Sequence, residues 1–113
     1  MKIHEYQAKE LFRAYDIPVP AGVLCETPEA IDQAVEQLGL PLAVKAQVHA
    51  GGRGKGGGVR VARTLEEAQD AAAAIIGMKL VTLQTGAQGR TVHKVLAEEG
   101  VSIKNELYLS FIV

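Results

Sequence analysis

Between Ile3 and Tyr15 the apolar positions Ala8, Leu11, Phe12 and Tyr15 recur at i, i+3, i+4 and i+7, the spacing of one helical face. The pattern predicts a helix with one apolar face, ended by Pro18 and Pro20. A second helix is predicted from "TPEA", where Thr27 can cap and Pro28 suits the first turn. Its stripe is Ile31, Ala34, Val35 and Leu38, and Gly39 stops it. A third starts at "TLEEA": Thr64 and Glu67 have capping-box spacing, and Ala68, Ala71, Ala72 and Ile75 form its buried face up to Gly77.

The period changes between the second and third helices. In "LPLAVKAQVHA", Leu42, Val44, Ala46 and Val48 alternate with Ala43, Lys45, Gln47 and His49, which predicts a half-buried strand with Lys45, Gln47 and His49 on its polar face. "VRVAR" alternates again after a run of glycines, and "VHKVLAEE" and "ELYLSFIV" are strand-like, with a turn around Gly86 and Gly89 before them. Strands and helices alternate, so the fold class is α/β or α+β. Leu107 to Val113 is nearly all apolar and lacks turn or cap residues; it is expected to need neighbours from a longer chain, the alternative being a terminal strand tucked into its own sheet.

Composition narrows the picture. A chain of 113 residues is one domain or a piece of a larger protein. With 48% hydrophobic residues, 4% aromatics and no Trp, its core is expected to be aliphatic. The net charge of −1 lacks the basic surplus of a nucleic-acid or membrane-surface binder, so any anion site has to be local. Cys25 is the single cysteine and forms no internal disulfide; a buried, inert thiol is the expectation. There is no apolar leader and no apolar run long enough to span a bilayer, which makes a cytoplasmic protein the default expectation. His4, His49 and His93 are too scattered to suggest a metal site.

Six of the twelve glycines fall within "HAGGRGKGGGVR", His49 to Arg60. Gly52, Gly54 and Gly57 match G-x-G-x-x-G, but a dinucleotide-binding turn needs a helix next, and here Val59 and Val61 announce a strand. A Walker A loop fails because His49 and Gly56 stand where Gly and Ser or Thr are required. A nucleic-acid-binding glycine–arginine segment lacks the interleaved aromatics that stack on bases. A glycine hairpin whose backbone N–H groups cover a polyphosphate fits its flanking strands. Charge agrees: Gln37 to Leu65 contains no Asp or Glu, whereas Lys45, Arg53, Lys55, Arg60 and Arg63 lie within it.

"MKIHEYQAKELF", "IPVP", "VKAQVHAGGRGKGGGV", "KLVTLQTG", "LAEEGV" and "ELYL", in that order, resemble the beginning of the β subunits of the succinyl-CoA synthetase family (succinate–CoA ligase, ADP-forming). The resemblance covers essentially all 113 residues. It implies the first lobe of an ATP-grasp fold, a mixed sheet flanked by helices and truncated at its C-terminal end, with the second lobe and the CoA-ligase domain following Val113. It implies that Lys45 contacts the phosphates of ATP, that Gly52, Arg53 and Gly54 belong to the covering loop, and that Glu98, Val101 (through its backbone) and Glu106 line the adenine and ribose end. Pro20 matches the ATP-using members.

The implied reaction is ATP + succinate + CoA ⇌ ADP + phosphate + succinyl-CoA, in the citric acid cycle, through a phosphohistidine on a partner α subunit in a heterodimer or heterotetramer. No catalytic residue and no Mg²⁺ ligand is implied within these 113 residues, and the region alone is expected to be inactive. Neither nucleic acid nor membrane is an expected partner. Malate–CoA ligase and ATP-citrate lyase share the lobe and keep the choice of acid open. A non-catalytic nucleotide- or phosphate-binding module is the alternative of another class.

Overall fold

The computed structural model describes residues 1–113. Its elements are α1 (Glu5–Ala14), β1 (Gly22–Cys25), a 3₁₀ turn (Pro28–Ala30) leading into α2 (Ile31–Leu38), β2 (Leu42–Ala46), β3 (Val59–Ala62), α3 (Leu65–Ile75), β4 (Lys79–Leu80), β5 (Arg90–Thr91) and β6 (Val95–Glu99). Four strands form one sheet in the order β1-β6-β2-β3, and β4 and β5 form a separate two-stranded ribbon. Every pairing is antiparallel, so the sheet is not the mixed one expected.

The alternation along β2 sets the two faces of the sheet. Leu42, Val44 and Ala46 are buried on one side, joined there by Ala97 opposite Val44 and Val95 opposite Ala46. Helices α2 and α3 cover this side with Ile31, Ala34, Ala68, Ala71, Ala72 and Ile75, the stripes predicted for them. The start of α3 is fixed as the sequence suggests: Thr64 Oγ1 accepts from Glu67 N at 3.1 Å. The returning bond runs from Arg63 N to the Glu67 carboxylate at 2.7 Å, one residue earlier than in the standard box. Cys25 is fully buried in the same core, and burial pushes its thiol above the usual range.

Two expectations are corrected, and one alternative is set aside. The α1 helix forms, but its apolar stripe is uncovered: Leu11, Phe12 and Tyr15 are exposed and no residue of the helix is buried. The first turns of α1 are tied to the sheet by polar contacts, Glu5 and Lys9 to Lys45 and Glu98. The strand expected to run to His49 stops at Ala46, because the Ala46 carbonyl accepts from the Arg53 guanidinium at 2.7 Å and Gln47 turns inward, where its Oε1 accepts from Tyr6 N at 3.0 Å. Leu107 to Val113 forms no strand and is exposed throughout, so it is not the terminal strand of its own sheet that was the alternative.

Candidate functional site

The glycine-rich stretch is the connection of a hairpin. Strand β3 returns beside β2 with Lys45 opposite Val59 and Leu42 opposite Ala62. Backbone bonds from Gly56 N to Gly52 O, Gly57 N to Gly54 O and Gly58 N to Arg53 O fold the loop on itself. Gly52 and Gly57 adopt positive φ of 74° and 84°, which favours glycine at those two positions. The loop faces the turn after β4, where Gly51 N donates to Gln84 Oε1 at 2.7 Å. Between them lies an open cleft of about 1100 Å³, lined in part by Lys2, Glu5, Gly52, Arg53, Lys55 and Gln84.

Lys45 projects from the sheet face opposite α2 and α3, and there it does not stand alone. Its amine donates to Glu98 Oε1 at 2.8 Å and to Glu5 Oε1 at 3.1 Å. Lys9, one turn beyond Glu5 on α1, pairs with Glu5 Oε1 at 3.0 Å and also with the Glu98 carboxylate. Arg53 reaches from the loop to Glu5 Oε2. Three cations thus face two carboxylates, and the loop, the sheet and α1 are tied at one point. Glu98 is only 4% exposed, a burial that its two lysine partners make tolerable.

The charges bias one another as this geometry requires. Burial alone would raise the Glu5 carboxyl, but Arg53, Lys9 and Lys45 outweigh it and hold it down at about 2. Burial alone would lower the Lys45 amine; its contacts with Glu98 and Glu5 prevail and hold it above its usual value. Lys45 is therefore cationic throughout the physiological range.

A second contact ties the start of α1 to the loop. The rings of His4 and His49 stack with centroids 4.0 Å apart and planes at 14°. Burial, then the neighbouring His49 and Lys94, lower the pKa of His4. The pair stands with its rings parallel and close, yet no group of three or more His, Cys, Asp or Glu side chains gathers that could hold a metal ion.

Of the residues singled out from sequence, Lys45, Arg53 and Glu98 are thus linked into one cluster, with Glu5 as the bridge, while Gly52 and Gly54 lie on the loop beside it. Val101 and Glu106 fall after β6 in the exposed final segment and join no cluster here. Glu5 and Lys9 were missed. The signal available for them was an i, i+4 Glu–Lys pair on α1, which by itself denotes only a solvated helix face.

Known proteins carry the same region. The ATP-grasp domain model matches residues 2–113. The chain is 62% identical over 113 residues to the "Succinate--CoA ligase [ADP-forming] subunit beta" of Desulfotalea psychrophila and 58% identical over 113 residues to that of Desulfosudis oleivorans. These alignments take in 100% and 99% of this chain but 29% of each relative, so the chain spans under a third of their length.

Among solved structures, an acetyl-coenzyme A synthetase of Ca. Korarchaeum cryptofilum in complex with coenzyme A, Ca-AMPCP and HgCl+ superposes with a TM-score of 0.73 at 23% identity, over 90% of this chain and 44% of that one. Phosphoribosylamine–glycine ligase of Thermotoga maritima gives 0.62 at 24% identity, over 89% and 23%. At these identities the superpositions establish the fold. A glycine hairpin over an antiparallel sheet, with a lysine and an arginine gathered beneath it, is in this chain the start of a known architecture: the chain belongs to the ATP-grasp domain family.

Proposed function

We propose that these residues form the nucleotide-binding first lobe of a succinate–CoA ligase β subunit, with Lys45, Arg53 and the loop N–H groups serving the phosphates of ATP. The observation that carries the proposal is the coincidence of full-chain similarity to such subunits with the physical convergence of Lys45 and Arg53 under a glycine hairpin. Phosphoryl transfer asks little covalent chemistry of a protein; it asks for positioning and for charge opposite the phosphate oxygens. A lysine amine and a guanidinium with a small, flexible cover meet that need, because absent side chains let backbone N–H groups approach the anion.

In this reading the lobe binds and orients ATP, while succinate, CoA and the histidine that carries the phosphoryl group belong to the rest of the β chain and to a partner α subunit. Glu98, Val101 and Glu106 are assigned to the nucleoside end. Mg²⁺ takes its ligands from outside these residues and neutralises phosphate charge when bound. None of His4, His49 and His93 carries the phosphoryl group.

The test is a coupled assay of CoA ester formation by the full-length β chain assembled with its α subunit. ATP-dependent turnover with succinate, reduced at least ~10-fold by Lys45→Ala, is the expected result. Turnover with malate or citrate and none with succinate would overturn the choice of acid; turnover indifferent to Lys45→Ala would overturn the role of this lobe.

A further inference from the structure

Arg53 belongs to the loop assigned above to cover the phosphates, yet both of its terminal nitrogens are engaged inward. Its Nη1 donates to the Ala46 carbonyl at 2.7 Å, and its Nη2 pairs with Glu5 Oε2. The other oxygen of the same carboxylate accepts from Lys45 at 3.1 Å and from Lys9 at 3.0 Å. Glu5 therefore occupies, in charge and in geometry, the position of an anion between Lys45 and Arg53. A carboxylate and a phosphate compete directly for such a fork, because both present two oxygens to paired N–H donors. Glu5 also lines the cleft that the loop covers, so an incoming anion can reach the contact.

We propose that Glu5 is an internal counter-ion that latches the glycine loop to α1 and the sheet through Arg53, and that a nucleotide phosphate displaces it. The inference rests on the nucleotide reading above and adds a residue that sets affinity by opposing binding. Displacement frees Arg53 for the phosphate and leaves Lys45 held by Glu98 at 2.8 Å, so one cation is recruited while another stays fixed. The loop is attached to the N-terminal segment at this contact and at the His4–His49 stack, so exchanging Arg53 from carboxylate to phosphate couples loop position to ligand.

The experiment compares wild type, Glu5→Gln, Arg53→Ala and the double variant in the full-length chain assembled with its partner subunit. Calorimetry with ATP and Mg²⁺ reads affinity, and deuterium exchange without nucleotide reads the backbone amides of residues 51–58. Gln keeps one oxygen that can accept from Lys9 and Lys45, removes the negative charge that all three cations share, and leaves Arg53 facing an amide NH₂ that cannot accept from it. Glu5→Gln is expected to bind ATP roughly 3- to 10-fold more tightly and to exchange faster across the loop. In the Arg53→Ala background the same change should alter affinity by less than about 2-fold, since the coupled partner is gone.

Affinity unchanged or weakened by Glu5→Gln, or an equal gain in the Arg53→Ala background, overturns the latch while leaving the nucleotide reading intact. Wild type that binds no ATP overturns the nucleotide reading itself, and with it displacement by a phosphate. If Glu5→Gln does not fold, Glu5→Asp serves: it keeps the charge but draws it back by about one carbon–carbon bond, ~1.5 Å. A smaller gain in affinity is then expected, and no gain overturns the latch.

Discussion

Replacing Glu5 with Gln removes one charge from a cluster of three cations and two carboxylates without changing the size of the side chain. The native carboxyl is held at about 2 against a reference of 4.5. At about 1.36 kcal/mol per unit this difference sets an upper figure of ~3.4 kcal/mol for its contribution to folding. The side chain keeps 19% of its surface in water. Solvent screening and the sharing of one carboxylate among three cations reduce the expected value to ~1–2 kcal/mol.

The sign follows from the depressed pKa. The stabilisation is complete above the reference value of 4.5 and is lost as pH falls from there through about 2. Urea unfolding of the chain and of Glu5→Gln should therefore differ by ~1–2 kcal/mol at pH 7, with the gap narrowing steadily below pH ~4.5. Curves that stay parallel from pH 7 to pH ~3, or equal stability at pH 7, would refute the ion-pair network as a source of stability. Lower stability combined with tighter nucleotide binding is the signature of Glu5, since an ordinary structural residue loses both together.

Two glycines of the loop separate packing from function. At Gly58 an added Cβ would meet Leu80 at 3.0 Å and Ala46 at 3.2 Å, so Gly58→Ala should lower the unfolding free energy by ~1–3 kcal/mol, read by urea titration. At Gly54 nothing lies within 4 Å, and Gly54→Ala should leave stability within ~0.5 kcal/mol while weakening ATP binding to the full-length protein several-fold. Cys25, buried and with its thiol pushed above its usual range, should react with a thiol reagent far more slowly in native buffer than in denaturant. Equal rates in the two conditions would contradict its burial.

The elements whose signals are local were legible in the sequence. Thr64, Glu67 and the stripe from Ala68 to Ile75 specify both the start and the buried face of α3, and the alternation from Leu42 to Ala46 specifies which way Lys45 points. Helix α1 was legible as a helix, but its periodicity says only that Leu11, Phe12 and Tyr15 share a face, and within this chain nothing covers that face. The end of β2 was not legible, because it depends on Arg53 reaching back to the Ala46 carbonyl, a contact made by the loop and not by the strand.

The site divides in the same way. Lys45 and the glycines announced themselves by position and by the absence of nearby acids. The acids that neutralise Lys45 lie 40 and 53 residues away in the chain. No periodicity brings Glu5, Lys45 and Glu98 together; only the antiparallel return of β6 beside β2 and the placement of α1 across the sheet do so.

The claim that Lys45 and the loop serve nucleotide phosphates is tested most directly by the affinity of the full-length protein for ATP with Mg²⁺, measured by calorimetry before and after Lys45→Ala. Removal of the amine takes away one phosphate partner and leaves Glu98 with Lys9 as its remaining cation. The account predicts binding weakened at least ~10-fold, about 1.4 kcal/mol, in a variant whose circular dichroism matches wild type. Affinity for ATP that is unchanged by Lys45→Ala would contradict it.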